Sequence, residues 1–178
     1  MYENFGLLIC GRWQSASDRK IISVVSPVTE QHIGTIPAAT RDDIERTLVT
    51  CQQAGLEWRK TSAWSRAAIL RHTADLIRSR IDEIAKIMST ETGKPLVEAK
   101  AEAGASADQF EWYSEEGKRA YGQIIPSRLT DERLSVVYQP VGPCLALSAW
   151  NFPLLLPARK IAAALAAGCP VISRPASE

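Results

Sequence analysis

The chain has 178 residues, of which 46% are hydrophobic and 23% are charged, values typical of a soluble globular domain. Its 21 basic and 20 acidic side chains give a formal net charge of +1, and no dense basic block indicates a nucleic-acid partner. No apolar run approaches the roughly 18 residues of a membrane-spanning helix, and the N-terminus lacks the regions of a signal peptide. Composition therefore predicts a folded cytoplasmic protein with no nucleic-acid and no membrane partner.

Four cysteines and two histidines could in principle bind a metal or act as nucleophiles. The cysteines are Cys10, Cys51, Cys144 and Cys169. They contain no CxxC pair, which argues against a zinc site and against a disulfide framework. Each lies in an apolar stretch without a nearby histidine, so we expect mostly buried, reduced thiols and no catalytic one. His32 and His72 have no partner at metal-ligand or triad spacing, and we expect both to be ordinary surface or interface residues.

The first third of the chain predicts a few short strands followed by a helix. Residues 7–36 contain brief apolar runs separated by turn residues, a pattern that predicts a small antiparallel arrangement. Thr40 followed by Asp43 resembles a capping box, and a helix is therefore predicted over 41–58. Its apolar residues at helical spacing are Ile44, Leu48, Cys51 and Trp58.

Two more helical patterns follow. The first begins near Ser62 and is expected to break between Ser79 and Asp82, and Gly93 ends it. Pro95 suits the first position of the next helix, because the N–H that it lacks would be unpaired there anyway. The residues that this helix is predicted to turn inward are Leu96, Ala99, Ala103, Phe110, Tyr113 and Gly117.

The last third of the chain predicts several strands and one helix. Apolar and polar residues alternate around a polar turn over 124–138, which predicts a strand pair with one buried face. Apolar runs at 144–148 and 171–173 flank a predicted helix over 154–167. Strand, helix and strand form a βαβ unit, which implies a parallel sheet, a right-handed crossover and the α/β fold class.

The carboxyl ends of these two predicted parallel strands lie at 148–152 and 174–178. A parallel sheet with helices on both faces usually binds its ligand at these ends, so the two segments are expected to converge on one crevice. The first segment offers an aromatic ring and an amide, and the second offers a cation and a hydroxyl. That combination suits a nucleotide-like or phosphate-bearing ligand.

Several short motifs occur in a fixed order along the chain. They are ETGKP at 91–95, WNFP at 150–153, GCPV at 168–171 and RPA at 174–176. In this order and spacing they resemble the N-terminal portion of NAD(P)-dependent aldehyde dehydrogenases, and the resemblance covers nearly the whole chain. The segment EEGKR at 115–119 is similar to the succinate-semialdehyde dehydrogenase group within that superfamily.

The resemblance implies a catalytic role for Asn151, whose side-chain amide would donate to the aldehyde oxygen during attack by a thiolate. A fixed donor at that point is worth about 3 to 4 kcal/mol of the barrier. The alternative is that Asn151 caps the helix predicted to start near Pro153, and both roles could hold together. Glu91 and Lys94 are interpreted as structural, as parts of a helix end and the next helix start.

The resemblance also implies that Leu147, Ser148 and Trp150 line a site for NADP or NAD. A buried core role is the alternative for Trp150. Arg174 stands where the family usually has a lysine that binds the adenosine ribose, and a guanidinium suits a phosphate better. At Ser177 many NAD-preferring members have a glutamate, and a hydroxyl removes its repulsion of a 2′-phosphate. Arg174 and Ser177 together favour NADP or dual use, unless they form a solvated strand end.

The resemblance predicts an incomplete cofactor-binding domain over 1–122 and 141–178, with helices around a parallel sheet, and part of an oligomerisation strand pair over 123–140. The full-length protein is expected to be a homo-oligomer that oxidises a small-molecule aldehyde, such as succinate semialdehyde, to the acid. The family's catalytic cysteine and general-base glutamate are expected beyond Glu178, so the catalytic domain is absent. The alternative is a catalytically silent truncated protein that at most binds nucleotide or pairs with a full-length relative.

Overall fold

The computed structural model describes residues 5–176 as eight short strands and five α-helices. The strands are β1 (Leu7–Ile9), β2 (Arg12–Gln14), β3 (Ile21–Val25), β4 (His32–Pro37), β5 (Gln123–Pro126), β6 (Arg133–Val136), β7 (Cys144–Leu147) and β8 (Val171–Arg174). The helices are α1 (Arg41–Trp58), α2 (Ala63–Ser79), α3 (Ile81–Thr92), α4 (Leu96–Glu116) and α5 (Leu155–Ala166).

The strands form two-stranded sheets in chain order. The pairs β1–β2, β3–β4 and β5–β6 are antiparallel hairpins, whereas β7 and β8 are parallel and are joined by α5. In the parallel pair, Cys144 lies opposite Val171 and Leu147 lies opposite Arg174. Helices α1 and α5 both contact β8. The predicted antiparallel start, the βαβ unit and the α/β class are therefore confirmed.

The capping box at the start of α1 is confirmed, and its carboxylate also binds a residue outside the helix. The Thr40 hydroxyl accepts from the Asp43 backbone N–H at 3.2 Å, and the Asp43 carboxylate accepts from the Thr40 N–H at 2.9 Å. The same buried carboxylate accepts from the Ser17 N–H at 3.0 Å and from the Ser17 hydroxyl at 2.6 Å. One side chain therefore connects the start of α1 to the loop between β2 and β3.

Replacing Asp43 with asparagine is expected to lower the melting temperature at neutral pH. The Ser17 hydroxyl, followed by the backbone N–H groups of Thr40 and Ser17, holds the pKa of Asp43 well below its usual range. A lowered folded-state pKa stabilises the fold above the unfolded value of about 3.9, and this contribution is lost as pH falls further. The difference between wild type and Asp43→Asn should therefore shrink below about pH 4. Melting temperatures measured across a pH series test this prediction. The control is Asp42→Asn, a substitution at the exposed neighbouring residue.

The helices pack through small residues. The main core lies where α2, α4 and α5 meet, and its buried residues are Leu70, Ala74, Ala107, Phe110, Ala158, Ala162 and Ala166. A second cluster joins α3 to α4 through Ala85, Met88 and Ala99. A side chain at Gly117 would place its Cβ 3.1 Å from the Cβ of Ala166, so glycine permits this close approach. The core therefore depends on short distances between helices more than on large side chains.

The predicted helix boundaries agree with the structure to within one or two residues. Helices α2 and α3 are separated at Arg80, within the predicted break, and α3 ends at Gly93 in the left-handed conformation with φ 73°. Pro95 lies immediately before α4 and not at its first position. Between residues 5 and 176, no helix has both the length and the apolar character needed to cross a membrane.

Some predicted apolar faces are exposed. Ile44 and Leu48 on α1 and Leu96 on α4 lie at the surface, although the spacing placed them on apolar or inward faces. The predicted buried face of the β5–β6 hairpin is also wrong, because every residue of both strands is exposed. Periodicity identifies an apolar face, but it does not show whether another element covers that face.

Candidate functional site

The predicted site residues lie at the carboxyl ends of two strands that the structure pairs in parallel. Strand β7 ends at Leu147 and β8 ends at Arg174, and these two residues are paired in register. The Ser148 N–H continues the ladder by donating to the Arg174 carbonyl at 3.3 Å. Residues 148–154, which we call the Asn151 loop, then lead into α5. The sheet therefore brings Leu147, Ser148 and Arg174 together, whereas Ser177 lies outside the described residues.

Asn151 presents an available amide. Its side chain is exposed and makes no hydrogen bond within residues 5–176. Its backbone carbonyl, in contrast, accepts from the Lys94 ammonium at 2.9 Å. The loop backbone is therefore fixed while the side-chain N–H groups stay free to donate to a ligand.

The alternative role of Asn151 as a helix cap is wrong. The N-cap position of α5 is Leu154 and not Asn151, and the first amides of the helix have a different acceptor. The N–H groups of Leu154 and Leu155 donate to one carboxylate oxygen of Glu102, at 3.0 and 3.1 Å. A carboxylate on α4 thus performs the capping that was considered for Asn151.

Sequence reasoning missed Glu102 entirely and interpreted Lys94 too narrowly. The Lys94 ammonium pairs with the second carboxylate oxygen of Glu102 and lies 4.3 Å from the centroid of the Phe152 ring. Glu102 could have been noticed, because it falls between Ala99 and Ala103 on the buried stripe of α4. An acidic residue at a core position requires a partner, and that requirement is the available signal.

Several features fit one side of a dinucleotide site. The side chains of Leu147 and Trp150 are 55% and 57% exposed and offer apolar surface at the end of β7. The Ser148 hydroxyl oxygen is buried and has no hydrogen-bond partner among the described residues. Arg174 is exposed at the end of β8 and places a cation within the same edge of the sheet. The alternative that Trp150 is a buried core residue is wrong among the described residues, because its ring lies outside the core.

Two of the described thiols, Cys51 and Cys144, are poorly suited to nucleophilic attack. Burial raises the pKa of the Cys51 and Cys144 thiols, which lowers their thiolate fraction, and Cys169 is also buried. Cys10 is exposed, Cys144 is half-buried, and Cys51 and Cys169 are buried. From residue 5 to residue 176, no group of three or more metal-ligating side chains is close enough to hold an ion. His32 and His72 are exposed, as predicted.

The chain is similar to known semialdehyde dehydrogenases. It is 40% identical over 171 residues to the NADP-dependent succinate-semialdehyde dehydrogenase GabD of Escherichia coli, an alignment that covers 96% of this chain and 36% of that protein. It is 41% identical over 170 residues to glutarate-semialdehyde dehydrogenase of Pseudomonas putida, covering 96% of this chain and 35% of the relative. The chain thus spans about a third of the length of these curated relatives.

A solved structure and a family model agree with these relatives. The crystal structure of an aldehyde dehydrogenase from Brucella melitensis biovar abortus 2308 superposes with a TM-score of 0.95 at 42% identity, covering 98% of this chain and 36% of that one. Residues 13–178 match the model of the aldehyde dehydrogenase family. The order of strands and helices, the WNFP loop and these matches are consistent with one another. The chain therefore belongs to the aldehyde dehydrogenase family.

Proposed function

We propose that this chain forms one wall of an active site that oxidises an aldehyde to the carboxylic acid with NADP or NAD. One observation carries the proposal. The side-chain amide of Asn151 is exposed, makes no hydrogen bond within residues 5–176, and follows the carboxyl end of β7, which is paired with β8. The relatives named for succinate semialdehyde and glutarate semialdehyde support a semialdehyde as the substrate class.

The Asn151 amide stabilises negative charge on the aldehyde oxygen. When a thiolate adds to the carbonyl carbon, the oxygen becomes an anion, and a fixed N–H donor binds that anion more strongly than the neutral carbonyl. Desolvation raises the pKa of the Cys51 and Cys144 thiols, so neither is suited to this attack. We assign the thiolate to a part of the protein outside these 178 residues.

The strand ends bind the cofactor in this proposal. A bound NAD or NADP would accept the hydride that leaves the aldehyde carbon. Leu147, Ser148 and Trp150 line its path at the end of β7, and Arg174 supplies a guanidinium suited to a phosphate. With the small hydroxyl of Ser177 in place of a carboxylate, the pair favours NADP or use of both cofactors.

Replacing Arg174 with alanine is expected to raise KM for NADP much more than KM for NAD. A charge-assisted hydrogen bond contributes about 1.5–3 kcal/mol, so the rise for NADP should be about 10- to 100-fold. Steady-state kinetics with both cofactors measure it in the complete gene product, with the exposed arginine in Arg12→Ala as the control. An equal rise for both cofactors would show that Arg174 does not contact the 2′-phosphate.

The exposed hairpin β5–β6 is proposed as an interface between copies of the protein. All residues of its two strands are exposed, and the apolar side chains of Ile124, Val137 and Val141 lie at the surface in or beside it. These features support the assignment of 123–140 to oligomerisation. In this proposal 1–122 and 141–178 belong to the cofactor-binding domain. The proposal includes a homo-oligomer in the cytoplasm.

The first test is aldehyde-dependent reduction of the cofactor by the complete gene product. Succinate semialdehyde should give NADPH from NADP, with NAD assayed in parallel, and butyraldehyde tests whether a terminal carboxylate is needed. Absence of turnover with either aldehyde and either cofactor would contradict the proposal and favour a catalytically silent protein.

A further inference from the structure

We propose that Lys94 and Glu102 are positioning residues that hold the Asn151 loop so that its amide faces the aldehyde oxygen. The inference rests on the proposed function of Asn151 and adds two residues to it. Neither side chain needs to touch the substrate, because both act on the backbone of the loop.

Glu102 fixes the end of the loop nearest to α5. Its side chain is 1% exposed, and one carboxylate oxygen accepts from the N–H groups of Leu154 and Leu155 at 3.0 and 3.1 Å. These are N–H groups at the start of α5 that no preceding carbonyl of the helix accepts. The carboxylate also lies at the positive end of the α5 dipole. The direction in which the loop enters α5 is therefore set by a residue of α4.

Lys94 fixes the middle of the loop. Its ammonium pairs with the other carboxylate oxygen of Glu102, donates to the Asn151 carbonyl at 2.9 Å, and lies 4.3 Å from the centroid of the Phe152 ring. The Lys94 side chain is 12% exposed, so little water competes for these contacts. The peptide group that carries the Asn151 carbonyl is thus held in place by a side chain of another segment.

The two charges constrain the loop as a unit. A buried carboxylate or ammonium requires an oppositely charged or hydrogen-bonding partner, and each of these groups satisfies the other. Each also contacts the loop at a different point, Asn151 for Lys94 and the start of α5 for Glu102. Moving the loop would therefore break the contacts of both charges. Rigid support of this kind matters because a displacement of about 1 Å can reduce a catalysed rate by about 100-fold.

The decisive variant is Lys94→Met in the complete gene product. Methionine has a long unbranched side chain like lysine, but it removes the ammonium that donates to Asn151, pairs with Glu102 and lies over the Phe152 ring. We expect kcat for succinate semialdehyde to fall by about 10- to 100-fold while KM for NADP changes little. Lys94→Arg, which retains a cationic donor, should restore part of the rate. The control is Lys100→Met on α4, which removes an exposed ion pair with Asp82 and should leave kcat unchanged.

A double mutant separates positioning from general stability. If Lys94 acts through Asn151, then Lys94→Met should have little further effect on kcat in an Asn151→Ala background. Multiplicative losses would overturn the inference. A Lys94→Met variant that keeps wild-type kcat would overturn it too, and would leave the proposed function of Asn151 standing. If Asn151→Ala itself keeps full activity, the role proposed for that amide fails instead.

Hydrogen exchange gives a readout that does not need turnover. Glu102→Gln keeps an oxygen that can accept from Leu154 and Leu155 but weakens the contact with Lys94, so it serves as the second variant if Lys94→Met does not fold. In either variant, exchange of the amides at 150–156 should accelerate by about 10-fold or more, while the peptides of α2 stay protected. Unchanged exchange in the loop would overturn the inference even in a protein without detectable activity.

Discussion

Replacing Asn151 with alanine is expected to lower kcat for aldehyde oxidation by about 10²- to 10³-fold, with little change in KM for NADP. The side-chain amide is exposed and makes no hydrogen bond within the described range, 5–176, so alanine removes a ligand contact without removing a structural one. The loss falls on kcat because the anionic oxygen forms only as the reaction proceeds. Steady-state kinetics with succinate semialdehyde in the complete gene product measure the effect.

The matched control for this variant is Gln53→Ala. Gln53 carries the same carboxamide on an exposed face of α1, far along the chain from the Asn151 loop, and its removal should leave kcat unchanged. A melting temperature close to that of wild type in both variants would show that folding is intact. An Asn151→Ala enzyme with wild-type kcat would show that the amide is not the oxyanion donor, and the site proposed here would then lack its central residue.

The largest effect on stability is expected from Phe110→Ala. The Phe110 ring is 8% exposed and lies in the cluster formed by α2, α4 and α5, where it packs with Leu70 and Ala162. Removing a buried phenyl ring costs about 3–5 kcal/mol, from lost burial and from the cavity that remains. The other buried residues of this cluster are mostly alanines, whose side chains are too short to fill that cavity. Urea denaturation of the complete gene product, followed by circular dichroism, measures the loss.

Trp112→Ala on the same helix is the control for Phe110→Ala. Its ring is larger but 64% exposed, so its removal should change the free energy of unfolding by no more than about 0.5 kcal/mol. Similar losses in the two variants would mean that Trp112 is covered in the complete protein. A small loss in both would contradict the placement of the core between α2, α4 and α5.

The elements that sequence analysis predicted well have signals contained in a few neighbouring residues. The capping box of Thr40 and Asp43 marks the start of α1, and Gly93 marks the end of α3, because each depends on local backbone geometry. The start of α5 was predicted to within one residue, but the group that caps it was not predicted. Its acceptor is Glu102, which lies 52 and 53 residues before the two amides that it binds. Local patterns carry no information about a partner at that distance.

For the candidate site too, the sequence indicated local motifs but not the distant side chains that hold them. The resemblance identified Asn151 and Trp150, and the structure places both in an exposed loop at a strand end, although their roles stay predictions. The ion pair of Lys94 and Glu102, which contacts that loop, was not predicted. Lys94 was already explained as part of a helix end and the start of the next helix, so no ion-pair partner was sought. The outward position of Ile44 and of the hairpin strands was missed because an apolar face looks the same in sequence whether or not something covers it.

The dependence of α5 on Glu102 has a consequence for folding order. Helix α5 has only 12 residues and no side-chain cap of its own, and isolated helices shorter than about 12–15 residues are marginal in water. Its first amides find their acceptor on α4, so α5 becomes stable only when α4 is already helical and adjacent. During synthesis α4 leaves the ribosome first. The order in which the two helices are made therefore matches the order in which they can fold.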